Sequence, residues 1–88
     1  MTAVTIADTA TLIVSHDSSE ADTQVCIQAD SGNGATVYVA PSSGVTTSNG
    51  LELAAGSSLD DVRLVGGVNW YGIVASGTET IRVVEVNA

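Results

Sequence analysis

From Ala10 onward the chain breaks into short β-branched runs separated by turn residues, and no stretch of ten or more residues repeats its apolar positions at a helical period. Ala10–Ser15 (ATLIVS) is the first run, and the polar loop His16–Asp22 (HDSSEAD) follows it. In Thr23–Ala29, Val25, Ile27 and Ala29 alternate with Gln24, Cys26 and Gln28, so one face belongs to a core and the other does not. In Ala35–Ala40, Val37 and Val39 oppose Thr36 and Tyr38, and Pro41, which cannot donate to a ladder, ends the run. Leu51–Ala55, Leu59–Val65, Asn69–Ala75 and Glu79–Val86 complete the series. Asn33-Gly34 between the second and third runs predicts a hairpin, and Ser76-Gly77-Thr78 between the last two predicts a tight one. Asn49-Gly50, Gly56-Ser57-Ser58 and Gly66-Gly67 read as further turns.

About seven short strands at this spacing predict an all-β fold, a small antiparallel β-sandwich or barrel with little or no helix. Residues 1–9 (MTAVTIADT) alternate weakly and are expected as an extended N-terminal arm or edge strand, with residues 10–88 as the single sandwich domain. The apolar residues are mainly 13 Val and 11 Ala, with one Trp, two Tyr and no Phe, so each contributes little buried area. A core built this way is thin. Small domains with thin cores usually carry several disulfides, and this chain has one cysteine, Cys26. Oligomerisation is the expected substitute, with folding in a reducing compartment.

Ten acids face two arginines and no lysine, a formal net charge of −8. Nucleic-acid binding depends on Lys and Arg replacing condensed counterions, so DNA, RNA and anionic membrane surfaces are not expected partners. No N-terminal signal segment and no apolar stretch long enough to cross a membrane is read from the sequence.

Ser15-His16-Asp17 holds the residue types of a hydrolase triad, but neighbours on an extended chain point to opposite sides, and a strand end entering a solvated loop is the simpler account. Asp17, Glu20 and Asp22, or Asp60 and Asp61, could offer oxygen to calcium, yet neither group has the spacing of a calcium loop. Gly32-Asn33-Gly34 and Gly66-Gly67 lack the Lys and the helix of a phosphate loop. No catalytic set, cofactor or metal is therefore expected. The residues that remain are candidates for an interface: Trp70 and Tyr71, adjacent on a strand so that one faces inward and the other outward; Tyr38; Arg82, expected to pair across a ladder or an interface; and Cys26, expected as a partly buried or interface thiol. Trp70 as the main core residue with Tyr71 as edge cover is the competing account of that pair.

Read in order, several segments form a recognisable series: Val37-Tyr38-Val39, residues 44–59 (GVTTSNGLELAAGSSL), residues 70–78 (WYGIVASGT) and residues 81–85 (IRVVE). Together they resemble a family of small virion proteins of tailed bacteriophages, of the head decoration or cement type, over roughly residues 10 to 86. The acidic HDSSEAD and the insertion Asp60-Asp61-Val62-Arg63 depart from that pattern. The resemblance implies a noncatalytic β-sandwich on the outer capsid surface of a virion, commonly a trimer, that binds the major capsid protein and stabilises the shell. The Ser, Thr, Asn and aromatic content leaves an alternative: a carbohydrate-binding or adhesion module of a phage head or tail fibre.

Overall fold

The computed structural model of the protein describes residues 2–15, 23–64 and 67–85. These form eight strands and no helix: β1 Thr2–Ile6, β2 Thr11–Ser15, β3 Thr23–Ala29, β4 Val37–Ala40, β5 Leu51–Leu53, β6 Ser58–Leu64, β7 Asn69–Ile73 and β8 Glu79–Glu85. Two four-stranded antiparallel sheets result, in the orders β1-β8-β3-β6 and β2-β7-β4-β5. The fold is all-β, a sandwich with open sheet edges. The count is eight rather than about seven because residues 2–6 add the strand β1.

The pairings give the order its logic. β1 pairs with β8, β2 with β7, β3 with β6 and β4 with β5, all antiparallel, as if the chain were one long hairpin folded back at residues 41–50. Rolling that ribbon brings β3 beside β8 and β4 beside β7, which closes each sheet. Eight strands rolled in this order make a jelly roll.

The roll overturns two expected hairpins. β3 and β4 lie in different sheets, and so do β7 and β8, so the connections at residues 30–36 and 74–78 are arches between the layers. A two-residue Asn-Gly hairpin of the favoured type needs positive φ at both positions, and neither Asn33 nor Gly34 has it. The turn falls two residues earlier, where the Asn33 amide donates to the Asp30 carbonyl at 3.0 Å. The Asn33 side chain then clips onto the start of β8. Its Nδ2 donates to the Thr80 carbonyl and its Oδ1 accepts from the Thr80 amide, both at 3.0 Å. Gly77, at φ 71°, makes the reversal between β7 and β8 in a conformation that a side chain would strain.

The core lies between the sheets. Ile6, Ile13, Val25, Ile27, Ala29, Val37, Val39, Leu53, Val62, Leu64, Val74, Ile81 and Val83 form one buried cluster drawn from all eight strands or their immediate ends. Because β-branched side chains are short, the layers close without a fully buried aromatic. Gly72 shows how close they come: a β-carbon there would stand 3.0 Å from Ile13 Cδ1 and 3.3 Å from Ile6 Cδ1. The accessible surface is 4722 Å², against roughly 4,800 Å² for a monomeric chain of this mass.

Candidate interaction surfaces

Strand alternation sorts every residue not in the core onto one of two outer faces. On the β2-β7-β4-β5 sheet, Val37 and Val39 point inward, so Tyr38 and Ala40 point outward. On β7, Trp70 packs against the core and Gly72 is buried, so Tyr71 and Ile73 point outward. The register lines these up in two rows. Leu12, Tyr71 and Ala40 form one across β2, β7 and β4, and Ile73, Tyr38 and Glu52 form the other across β7, β4 and β5. Tyr71 and Tyr38 are diagonal neighbours, a spacing that long aromatic side chains bridge. Both tyrosines, Ala40 and Ile73 are half-buried, while Leu12 is 46% exposed. This face carries no cation, since both arginines belong to strands of the other sheet.

Close packing behind the face fixes Tyr38. A β-carbon on Gly50 would stand 2.8 Å from Tyr38 Cβ and 2.9 Å from Val45 Cγ2, so only glycine lets the end of the 41–50 loop lie against β4. That loop is held by its own polar groups: Asn49 Oδ1 accepts from the Thr46 amide at 2.7 Å, and Asn49 Nδ2 donates to the Gly44 carbonyl at 3.2 Å. The second Asn-Gly is thus a loop brace without positive φ.

The outer face of β1-β8-β3-β6 is chemically opposite. Ala3, Arg82, Gln28 and Ser58 form a row across all four strands, and Gln24 stands in register with Arg63. Arg82 Nη2 lies 3.5 Å from Asp30 Oδ1, with 53% and 32% of the two side chains exposed. A pair so open to water contributes about 0–1 kcal/mol. Cys26 lies on this face opposite a bulge in β6, where the register slips between Val25/Val62 and Ile27/Leu59. Its Sγ is 3.7 Å from Asp60 Oδ1, which also accepts from the Ser58 hydroxyl at 2.6 Å. Burial first, and then the hydrogen bond and charge of Asp60, push the Cys26 thiol above its ordinary value; Ser58 partly offsets them. A protonated thiol is a poor nucleophile and metal ligand.

The five candidate interface residues therefore do not converge on one site. Tyr38 and Tyr71 share one outer face, Arg82 and Cys26 share the opposite one, and Trp70 packs against the core from between the sheets. The residues not expected were Leu12, Ala40 and Ile73. The alternation of Asn69-Trp70-Tyr71-Gly72-Ile73-Val74 could have revealed Ile73, because Gly72 and Val74 take the inner side. Leu12 was hidden by a bulge at Ile13, where two steps on β2 oppose one on β7. His16, Asp17, Glu20 and Asp22 lie outside the described residues, and with them the triad and first calcium candidates. Among the described residues no three His, Cys, Asp or Glu side chains cluster as metal ligands would. In comparisons with protein-family models, curated proteins and solved structures, nothing matches this chain.

Proposed function

We propose that the chain is a noncatalytic structural protein of a tailed-bacteriophage virion, a decoration protein that binds the outer surface of the major capsid protein shell as a small homo-oligomer and stabilises it. The observation that carries this reading is the outer face of β2-β7-β4-β5, where the half-buried Tyr38, Tyr71 and Ile73 stand beside the exposed Leu12. Tyrosines on a rigid sheet are effective interface anchors, because they bury much area while losing little side-chain freedom. Two further features support it. Jelly rolls recur in viral capsid domains, and a charge of −8 keeps a protein displayed at high density from adhering to itself nonspecifically or to nucleic acid. Each copy adds a modest contact, and shell symmetry multiplies it.

The test is binding to purified shells lacking the protein. Tyr38→Ala with Tyr71→Ala is expected to weaken shell binding at least about 30-fold, as loss of hot-spot anchors does. Reloaded shells should also outlast bare ones under heat and chelator. Unchanged binding by the double variant, or bare shells as resistant as loaded ones, overturns the reading.

The same two tyrosines favour a second reading, since neighbouring half-buried rings on an outer face can stack on a sugar face and lectin domains also use jelly rolls. A carbohydrate-binding or adhesion module of a head or tail fibre would bind on a glycan array and fail to bind shells.

A further inference from the structure

The sequence holds two Asn-Gly pairs, Asn33-Gly34 and Asn49-Gly50. In each, the glycine nitrogen follows the asparagine and has no side chain beside it to hinder attack on the asparagine Cγ. In that reaction the N–Cγ bond forms, the Cγ–Nδ2 bond breaks, and Nδ2 leaves as ammonia with the proton of the glycine amide. Solvent water then opens the succinimide ring, at one carbonyl to aspartate and at the other to isoaspartate, which puts one more methylene into the main chain. The attack needs the side-chain amide and the glycine N–H free at the same time. Folding holds both groups in both pairs. Asn33 exchanges two hydrogen bonds with Thr80 at 3.0 Å, and the Gly34 amide donates to Glu79 Oε1 at 3.1 Å. Asn49 Oδ1 accepts from the Thr46 amide, its Nδ2 donates to the Gly44 carbonyl, and the Gly50 amide donates to the Thr46 carbonyl at 3.1 Å.

The two holds differ in reach. Asn33 is half-buried and its side-chain partner is 47 residues away on β8, a strand flanked by β1 and β3, so freeing it means parting an arch from a sheet. Asn49 is exposed, its partners lie in residues 44–46 of the same loop, and Val45 is the only buried residue of that loop. One local opening therefore releases Asn49 and Gly50 together, and openings of this kind cost least where few buried contacts hold a segment. We propose that Asn49 is a site of spontaneous deamidation in the folded protein, and that its isoaspartate product lifts the 41–50 loop from β4. The second step follows from packing. A β-carbon on Gly50 would already stand 2.8 Å from Tyr38 Cβ and 3.2 Å from the Tyr38 carbonyl carbon, so a main chain lengthened just before Gly50 has no room against that strand. The aspartate product disturbs less. It keeps an acceptor for the Thr46 amide and loses only the donor to the Gly44 carbonyl. Tyr38 belongs to the tyrosine face, so the isoaspartate form alters that face from behind.

The inference does not depend on shell binding, and its test is separate. The full chain is aged in a mildly alkaline buffer, folded and in urea, and peptide mapping by mass spectrometry follows the exchange of amide for acid at each asparagine. In the folded chain Asn49 should convert at least about tenfold faster than Asn33, whereas in urea the two rates should agree within about twofold, since both holds are then gone. Asn33 converting as fast as Asn49 in the folded chain, or neither converting while the unfolded chain does, overturns the site. Asn49→Gln closes the corresponding larger ring far more slowly and should remove the main acidic form that ageing produces on ion exchange. Persistence of that form in the variant overturns the site as well. The isoaspartate form, recognised with an isoaspartyl methyltransferase and purified, should exchange the amide hydrogens of residues 41–50 at least about tenfold faster than the unaged chain. Equal exchange overturns the displacement of the loop.

Discussion

The two outer faces of the sandwich are built on the same backbone plan and differ in what their side chains already do. On β1-β8-β3-β6 the polar groups face one another: Arg82 reaches Asp30, and Ser58 and Cys26 both donate to Asp60. On β2-β7-β4-β5 the corresponding rows are Leu12-Tyr71-Ala40 and Ile73-Tyr38-Glu52, five of the six apolar or aromatic. Water satisfies the first face at little cost, while the second leaves apolar area that a partner could remove from water. Alternation in the strands makes two faces, and the residues assigned to the outward positions decide which one has contact left to make.

The largest effect tests whether the inner layer is separate from both faces. Ile27 is fully enclosed, and Ile27→Ala should cost about 2–5 kcal/mol in a urea titration, through lost transfer energy and a cavity. Trp70→Ala should cost about 2 kcal/mol, below the roughly 3–5 of an enclosed ring, because Trp70 is only half-buried. A Trp70→Ala loss within about 0.5 kcal/mol would move Trp70 onto the tyrosine face and redraw the boundary between core and surface.

Much of this division was legible in the sequence. Val25, Ile27 and Ala29 against Gln24, Cys26 and Gln28, and Val37 and Val39 against Tyr38, follow from a period of two, and the structure keeps both sets. The pairing of strands was not legible, because alternation says which side a residue takes and nothing about which strand lies beside it. Asn33-Gly34 shows the limit. A sequence of turn residues marks a reversal, but whether the chain returns in the same sheet or crosses to the other depends on distant contacts, here the clip of Asn33 onto Thr80. The site divided likewise. The two tyrosines were found because aromatics are rare in this chain, whereas grouping them with Leu12 and Ile73 and away from Arg82 required the strand order.

That clip gives the intermediate effect, since it ties the arch at residues 30–36 to the start of β8. Asn33→Ala would leave the Thr80 amide without its part-buried acceptor, while the Thr80 carbonyl keeps the Asp30 amide, at about 1–3 kcal/mol. The loss should appear in the unfolding midpoint while shell binding by the folded protein stays unchanged. A stability change below about 0.5 kcal/mol would mean that water replaces the amide and that the arches hold without it.

The smallest effect belongs to the polar face alone and depends on pH. Folding raises the Cys26 thiol above its ordinary value, first by burial and then through Asp60, so above that value the folded chain binds a proton that the unfolded chain has released. Stability then falls as pH rises, because its slope with pH follows protons bound unfolded minus protons bound folded, which is negative here. The contribution is complete below the ordinary thiol value of 9.0 and is lost as pH climbs through the raised folded value. Cys26→Ser keeps a donor near Asp60 and removes the titration. The unsubstituted chain should therefore lose more stability than Cys26→Ser between about pH 7.5 and 10, and the difference between the two isolates the thiol from every other titrating group. Parallel curves would mean that Cys26 is as well solvated as in the unfolded chain, and that the contact with Asp60 places no electrostatic constraint on the polar face.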